Sequence, residues 1–154
     1  MKLIIFVNYL ITLYNGLYGV DSVKLRNKVI DYVTPTEACK IIGISEKSTP
    51  LITRWINQGK IKDVITFGKS KGIPINWVKS ECNERGINWE GIKLEDGEVG
   101  VSLKDYEPVN KIEQKYQVSH LAIRITRGQI NSDYAVQFGR NWGIEKEYMK
   151  TIFE

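Results

Sequence analysis

Apolar positions at helical spacing predict two short helices, one near residue 40 and one near residue 55. The first helix starts at the capping sequence TPTE, residues 34–37, and is expected to end before Gly43. The second helix is expected to run from a cap at Thr49 to Gln58, with Gly59 as its terminator. Two helices joined by a glycine turn form the basic helix-turn-helix pattern, whose second helix can occupy a DNA major groove. The expected inward face of the first helix consists of Ala38, Ile41 and Ile42.

The second predicted helix has an apolar face and a polar face. Its inward stripe, built on i, i+4 pairs, consists of Leu51, Ile52, Trp55 and Ile56. Its outward face consists of Thr53, Arg54, Asn57 and Gln58. Because Trp55 lies on the apolar stripe, we expect it in the core rather than stacked on a base. A polar face of this kind is typical of a recognition helix, and also of a solvated helix or a protein-binding module.

A small hairpin and a packing helix are predicted next. Residues 61–67 and the return at Ile73-Pro74 indicate two strands joined by a glycine-rich tip, GKSKG, at residues 68–72. Lys69 and Lys71 in this tip suit contacts to phosphates, which would make binding depend on salt concentration. Residues 76–85 are expected to form a helix containing Trp77 and Val78.

The ordered combination of these segments resembles a known family of DNA-binding domains. The runs TPTEACKIIGIS, TRWINQGKI and IPxxWV are similar to the MerR/excisionase-type winged helix-turn-helix, and the resemblance covers residues 33–85. One departure is the turn sequence EKS, residues 46–48, which lengthens the turn and can re-aim the second helix. In that family the second helix and the wing contact DNA, which implies DNA-binding roles here for Ser48, Thr49, Thr53, Arg54, Asn57, Lys69 and Lys71.

Helical spacing returns after residue 109. A short helix is expected at residues 111–116, and Ser119 is expected to cap the helix that follows, which Gly128 closes. In that helix the residues predicted to face inward are Leu121, Ala122 and Ile125, and those on the opposite face are His120, Arg124 and Arg127. A further helix is expected from Asn131-Ser132 to Gly143, with a buried line of Ala135, Phe138 and Trp142. Residues 144–153 are predicted to form a final helix, and no long internal repeat is evident.

This second module is similar to the central part of lambda-repressor/Cro-like domains, a group that includes antitoxins. The run that carries the similarity is KYQVSHLAIRITRGQINSDYAVQFGRNWGIEKEYM, although residues 86–107 lack the first helix of that family. The resemblance implies a recognition helix over residues 120–127 and DNA-binding roles for Ser119, His120, Arg124, Arg127 and Gln129. A helical bundle for dimerisation is an equally good interpretation of this module.

Charge is segregated along the 154 residues, which carry 22 basic and 18 acidic side chains, a net charge of +4. Residues 34–85 carry nine basic and five acidic groups, whereas residues 86–110 carry two basic and six acidic groups. The basic segments favour a polyanionic partner, while the acidic connector would repel DNA and could occupy a partner protein's basic channel. The connector is expected to be loop, with a candidate hairpin at the Asp96-Gly97 turn. Its most acidic part contains Glu95, Asp96 and Glu98.

Several function classes are disfavoured. Cys39 and Cys82 form no CxxC pair and His120 is the only histidine, which argues against a disulfide framework, a structural zinc site or a catalytic triad. The apolar stretch at residues 3–14 is too short to span a bilayer, contains Asn8 and Thr12, and precedes no small-residue cleavage site. We therefore expect it to pack on the core or to form a subunit contact.

These observations predict a mainly α protein with a small β wing, in which a winged helix-turn-helix precedes a second helical, helix-turn-helix-like module. The expected segments are an N-terminal packing segment (1–32), the winged module (33–85), the acidic connector (86–108) and the helical module (109–154). The expected function is sequence-specific binding of double-stranded DNA by a cytoplasmic, non-enzymatic protein without cofactor. It would be a regulator or excisionase-like factor of bacterial, phage or mobile-element type, acting as a homodimer or cooperative oligomer. The alternative is a protein-interaction factor on the same scaffold, such as an antitoxin or an inhibitor of a host nuclease, with the acidic connector as its contact.

Overall fold

Residues 28–154, which the computed structural model describes, contain six α-helices and two three-stranded antiparallel sheets. About 45% of these residues are helical and about 19% are in strands. The fold is therefore mixed α/β, and the prediction of a mainly α protein with a small β wing underestimated the strand content. The expectation that residues 3–14 pack on the core falls outside the described residues.

The first half of the structure is a strand, two helices, a hairpin and a third helix. The elements are β1 (Tyr32–Val33), α1 (Pro35–Ile41), α2 (Thr49–Asn57), β2 (Ile65–Phe67), β3 (Ser70–Pro74) and α3 (Ile75–Glu84). Strand β3 is central and antiparallel to both neighbours, so the sheet order is β1-β3-β2. In this register Val33 lies opposite Ile73, and Phe67 lies opposite Ser70. We call residues 29–84 unit 1.

The second half repeats this order of elements. They are β4 (Tyr106–Pro108), α4 (Val109–Tyr116), α5 (Leu121–Thr126), β5 (Ala135–Phe138), β6 (Asn141–Glu145) and α6 (Lys146–Phe153). Strand β6 is again central, in the order β4-β6-β5. We call residues 103–153 unit 2.

Local signals set the helix ends of unit 1. Thr34 caps α1: its Oγ1 accepts a hydrogen bond from the backbone N–H of Glu37 at 3.2 Å, and Pro35 occupies the first turn, as predicted. Gly43 and Gly59 follow α1 and α2 with φ of +79° and +73°, which is the left-handed conformation that ends a helix. The predicted cap at Thr49 was wrong, because Glu46–Ser48 forms a 3-10 turn that runs directly into α2.

The unit 1 hairpin forms where the sequence predicted it, with a tighter turn. Gly68 has φ of +62° and is followed directly by Lys69 and by the start of β3 at Ser70. The expected tip at residues 68–72 is therefore two residues long, and Lys71 lies within a strand. A two-residue turn that begins with a glycine at positive φ matches the right-handed twist of its strands.

The predicted helix between Asn131 and Gly143 is wrong. A 3-10 turn at Ser132–Tyr134 leads into a hairpin of β5 and β6, and only Lys146–Phe153 of the predicted final helix is helical. Ser119 is not a cap either, since α5 starts after His120, whose side chain makes no capping bond. The three residues assigned to a buried helical line are strand residues: Ala135, Phe138 and Trp142.

The two units also match in sequence at their hairpins and at the ends of their second helices. The hairpin of unit 1 reads FGKSKGI at residues 67–73, and that of unit 2 reads FGRNWGI at residues 138–144. The ends of α2 and α5 match as well: the N–H of Gly59 donates to the carbonyl of Ile56 at 3.0 Å, and that of Gly128 donates to Ile125 at 3.1 Å. The chain thus contains an internal repeat, and the expectation of none was wrong.

Three hydrophobic clusters make up the core. One lies inside unit 1 and includes Ile52, Ile73 and Val78, and a second lies inside unit 2 and includes Ile112, Leu121 and Ile144. The third joins the units and consists of Val29, Tyr32, Phe67, Leu103, Tyr106, Val136 and Phe138. The two units therefore share a buried interface and are not joined by the connecting segment alone.

The segment between the units is irregular. Asp96 and Gly97 form a turn, with the N–H of Glu98 donating to the carbonyl of Glu95 at 3.0 Å, but the flanking residues form no hairpin. Val101 pairs in parallel with Val29 through an isolated bridge. Residues 103–108, predicted as connector, belong to unit 2. No helix within residues 28–154 has the length and apolar character needed to cross a membrane.

Candidate nucleic-acid interface

Helix α2 carries the predicted polar row on its solvent side. Thr53, Arg54 and Asn57 are exposed, as is Gln58 at the helix end. The opposite side is fixed to the core by Ile52, which is fully buried. A short row of donors and acceptors on a helix held in place from behind is the arrangement that direct readout of base edges needs. Thr53 is the least available of the row, because its hydroxyl donates to the carbonyl of Thr49 at 3.4 Å.

The predicted contacts at the start of this helix are less exposed. Ser48 and Thr49 are half-buried, and the Thr49 hydroxyl donates to the carbonyl of Glu46 at 2.8 Å. The Glu46 carboxylate in turn forms an ion pair with Lys40 at 3.1 Å. In this lengthened turn the side chains of Thr49 and Glu46 are therefore already engaged with neighbouring residues of unit 1.

The tip of the unit 1 hairpin lies against unit 2. The backbone N–H of Lys69 donates to Oδ1 of Asn141 at 3.2 Å. A Cβ added at Gly68 would lie 2.4 Å from that same oxygen, so the glycine permits the close approach. The Lys69 and Lys71 side chains are exposed, with the Lys71 ammonium 2.9 Å from the hydroxyl of Thr66. At the tip, the backbone N–H of Lys69 is therefore engaged with unit 2, and the side chains of Lys69 and Lys71 face solvent.

Helix α5 presents a different surface from α2. His120 directly precedes the helix at φ of +61° and is exposed, as are Arg127, Gln129 and Ser119, whereas Arg124 is half-buried. Ile123 is 45% exposed although it is aliphatic. When the helix ends are matched at Gly59 and Gly128, Ile123 takes the place of Arg54 and Arg127 takes the place of Gln58. The two equivalent helices therefore offer unlike chemistry to a ligand.

The structure brings together a group of lysines that the sequence pattern does not predict. A groove of about 750 Å³ is lined by Lys60 and Lys62 after α2, Lys79 from α3, and Lys104 from the second half of the chain. Lys104 also lies over the Tyr32 ring, 5.9 Å from its centroid. Asp31 and Asp63 are the acidic residues of the lining, so the lining has excess positive charge. A concave surface with one sign of charge concentrates its field and attracts an anion.

A corresponding groove on unit 2 has the opposite sign. It measures about 450 Å³, and its charged lining residues are Asp105, Glu145, Lys146 and Glu147. The position matches because Asp105 and Tyr106 correspond to Asp31 and Tyr32 at the start of each unit. The repeat has thus diverged: the groove beside α3 is basic and its counterpart beside α6 is acidic.

Two thiols and one phenol buried in the core have a raised pKa. Cys39 and Cys82 are free and buried, and burial raises the pKa of each thiol, which keeps them protonated and unreactive. Burial, followed by Glu145 and Asp105, raises the pKa of the Tyr106 phenol. Within residues 28–154 no three His, Cys, Asp or Glu side chains are grouped so that they could hold a metal ion.

Comparison of the chain with protein-family models, with curated proteins and with solved structures gave no match.

Proposed function

We propose that this chain is a sequence-specific binder of double-stranded DNA, built on a winged helix-turn-helix in unit 1. The observation that carries the proposal is the outward row of Arg54, Asn57 and Gln58 on a helix whose other side is anchored by Ile52. Such side chains pair with guanine and adenine edges in a major groove. The biological role would be that of a regulator or excisionase-like factor, with the cytoplasm as its expected compartment.

Phosphate contacts in this proposal come from lysine side chains on two surfaces. Lys69 and Lys71 extend from the hairpin, and Lys60 and Lys62 of the basic groove lie shortly after the end of α2. Base contacts alone seldom hold a protein on DNA, because phosphate neutralisation and the release of counterions supply much of the affinity. The basic groove therefore adds a phosphate-binding surface to the one that the sequence predicted.

The test is selection from random duplexes at two salt concentrations, followed by affinity measurements on the selected site. Arg54→Ala should weaken the selected site by about 1–3 kcal/mol and leave random DNA nearly unchanged. Lys60→Ala and Lys62→Ala should weaken both duplexes and reduce the salt slope by about one each. Lys93→Ala, which removes the same charge from the connector, is the matched control. Uniform retention of all duplexes, unchanged by Arg54→Ala, would refute sequence-specific readout.

A second candidate function is binding of a protein with a basic surface through the connector. Its supporting observation is the exposed turn that carries Glu95, Asp96 and Glu98, with Val99 beside it at 77% exposure. A negatively charged surface patch attracts and orients a partner that has a positively charged patch. Capture of a stoichiometric partner that is lost in the variant Glu95→Gln/Asp96→Asn/Glu98→Gln would favour this function. Retention of the partner by that variant would remove its support.

A further inference from the structure

The two hairpin tips contact each other reciprocally. Gly68 of unit 1 packs on Asn141 of unit 2, and Gly139 of unit 2 packs on Ser70 of unit 1, with 2.4 Å and 2.6 Å between an added Cβ and the facing side-chain oxygen. Gly68 and Gly139 are equivalent positions, and so are Ser70 and Asn141. Contacts in which i meets j and j meets i are the signature of a two-fold, isologous interface.

The core between the units is paired in the same way. Phe67 and Phe138, which are equivalent, pack edge to face with ring centroids 5.9 Å apart. The same cluster contains the other equivalent pairs: Val29 with Leu103, Tyr32 with Tyr106, and Ile65 with Val136. Seven of these eight side chains are buried and Ile65 is half-buried, so the two units are held at a fixed orientation. One chain therefore has the internal symmetry that a homodimer normally supplies.

Two-fold symmetry has a defined consequence for DNA recognition. When a two-fold axis relates two recognition helices, each helix reads its half-site on the opposite strand from the other. The DNA site is then an inverted repeat. Helices α2 and α5 are equivalent elements of the two reciprocally packed units, but their outward residues differ, with Ile123 in the place of Arg54 and Arg127 in the place of Gln58. Lys69 and Arg140 occupy equivalent exposed positions beside the joined tips.

Resting on the proposed function, we infer that a single chain binds one duplex as a built-in dimer and recognises an inverted pair of unequal half-sites. Helix α2 reads one half, and α5 reads the other. The basic side chains of Lys69 and Arg140 contact phosphates near the centre of the site.

The experiment measures the stoichiometry and the arrangement of the selected site with the full chain. Light scattering of the complex with the selected duplex should give the mass of one chain and one duplex. The selected sequences should contain two inverted half-sites. Inserting about 5 bp between them, half a helical turn, should reduce affinity at least about 10-fold, and inserting about 10 bp should not restore it, because the shared core fixes the span.

Single substitutions assign the halves. Arg54→Ala should relax base preference in one half, and Arg127→Ala should relax it in the other, each by about 5-fold or more. Lys93→Ala should change neither half. Two chains on one duplex, a direct repeat, or both arginine variants affecting the same half would overturn the inference and leave the proposed function standing. Absence of any sequence preference would overturn both.

Discussion

Replacing Gly143 by alanine tests how the two units are held together. Gly143 lies in the central strand β6 of unit 2, and a Cβ there would be 2.3 Å from Cζ and 3.1 Å from Cε1 of Phe67 in unit 1. Carbon atoms normally approach to about 3.5–4.0 Å, so the ring would have to withdraw by more than about 1 Å. The backbone carbonyl oxygen of Glu107 would lie 3.3 Å from the same Cβ, which leaves the strand little room to shift.

Phe67 has little freedom to withdraw, because it is 3% exposed and packs against Phe138. Overpacking of this kind destabilises a protein by about 1–3 kcal/mol, and we expect Gly143→Ala to fall in that range. Phe67→Leu removes the colliding ring atoms and should cost less than the about 3–5 kcal/mol typical of a Phe→Ala truncation. The double variant should then be less destabilised than the sum of the two single variants, by about 1 kcal/mol or more.

Equilibrium unfolding in urea, followed by tryptophan fluorescence and extrapolated linearly to water, gives the four free energies of this cycle. The control cycle pairs Gly143→Ala with Ile52→Val, since Ile52 is buried in the separate cluster of unit 1 and should add without coupling. Additivity of Gly143→Ala with Phe67→Leu to within about 0.5 kcal/mol would refute the packing of the two units described here.

Three further predictions concern the same fold. Asn141→Ala removes the hydrogen bonds to the Lys69 N–H at 3.2 Å and to the Ser70 hydroxyl at 2.8 Å. It should lower the free energy of unfolding, measured in urea, by about 1–2 kcal/mol. An unchanged unfolding midpoint would contradict the reciprocal contact between the hairpin tips. The pKa of Tyr106 is raised in the folded state, so the phenol contributes fully to the free energy of unfolding below the unfolded pKa of about 10. This contribution is lost as the pH rises through the folded pKa. Stability should therefore fall at alkaline pH, and it should fall less in Tyr106→Phe. Equal slopes for the two proteins would be the contrary result. Iodoacetamide should alkylate Cys39 and Cys82 at pH 8 far more slowly in the native protein than in denaturant, and equal rates would contradict their burial.

Local signals were sufficient for unit 1. The cap at Thr34, the glycines after each helix and the apolar stripes are short-range features, and the structure confirms α1, α2, the hairpin and α3 near the predicted bounds. The polar row that includes Arg54 was also predicted, because a helix with one apolar stripe has only one face left for solvent. The Lys60–Lys104 groove could not be predicted, since residues far apart in sequence meet there only through the fold.

Unit 2 shows where periodicity is ambiguous. Ala135, Phe138 and Trp142 fit a helical spacing as well as the alternation of two short strands, and apolar spacing over so few residues does not decide between them. The signal that decides is the glycine at the turn: the FG motif of Phe138-Gly139 repeats that of Phe67-Gly68, and both glycines have φ of +62°. A comparison of the two hairpin sequences would have predicted the strands.

The sequence by itself determined the helices and turns of unit 1 and the separation of basic from acidic segments, because caps, glycine turns and apolar stripes act over a few residues. Only the tertiary structure decided how the two units pack, with Phe67, Phe138 and their neighbours in one shared core. The net charge of +4 likewise became informative only when folding gathered four lysines in one groove and three carboxylates in the equivalent groove. The physical reason is that packing between distant segments depends on the complementarity of whole surfaces, which no short stretch of sequence contains.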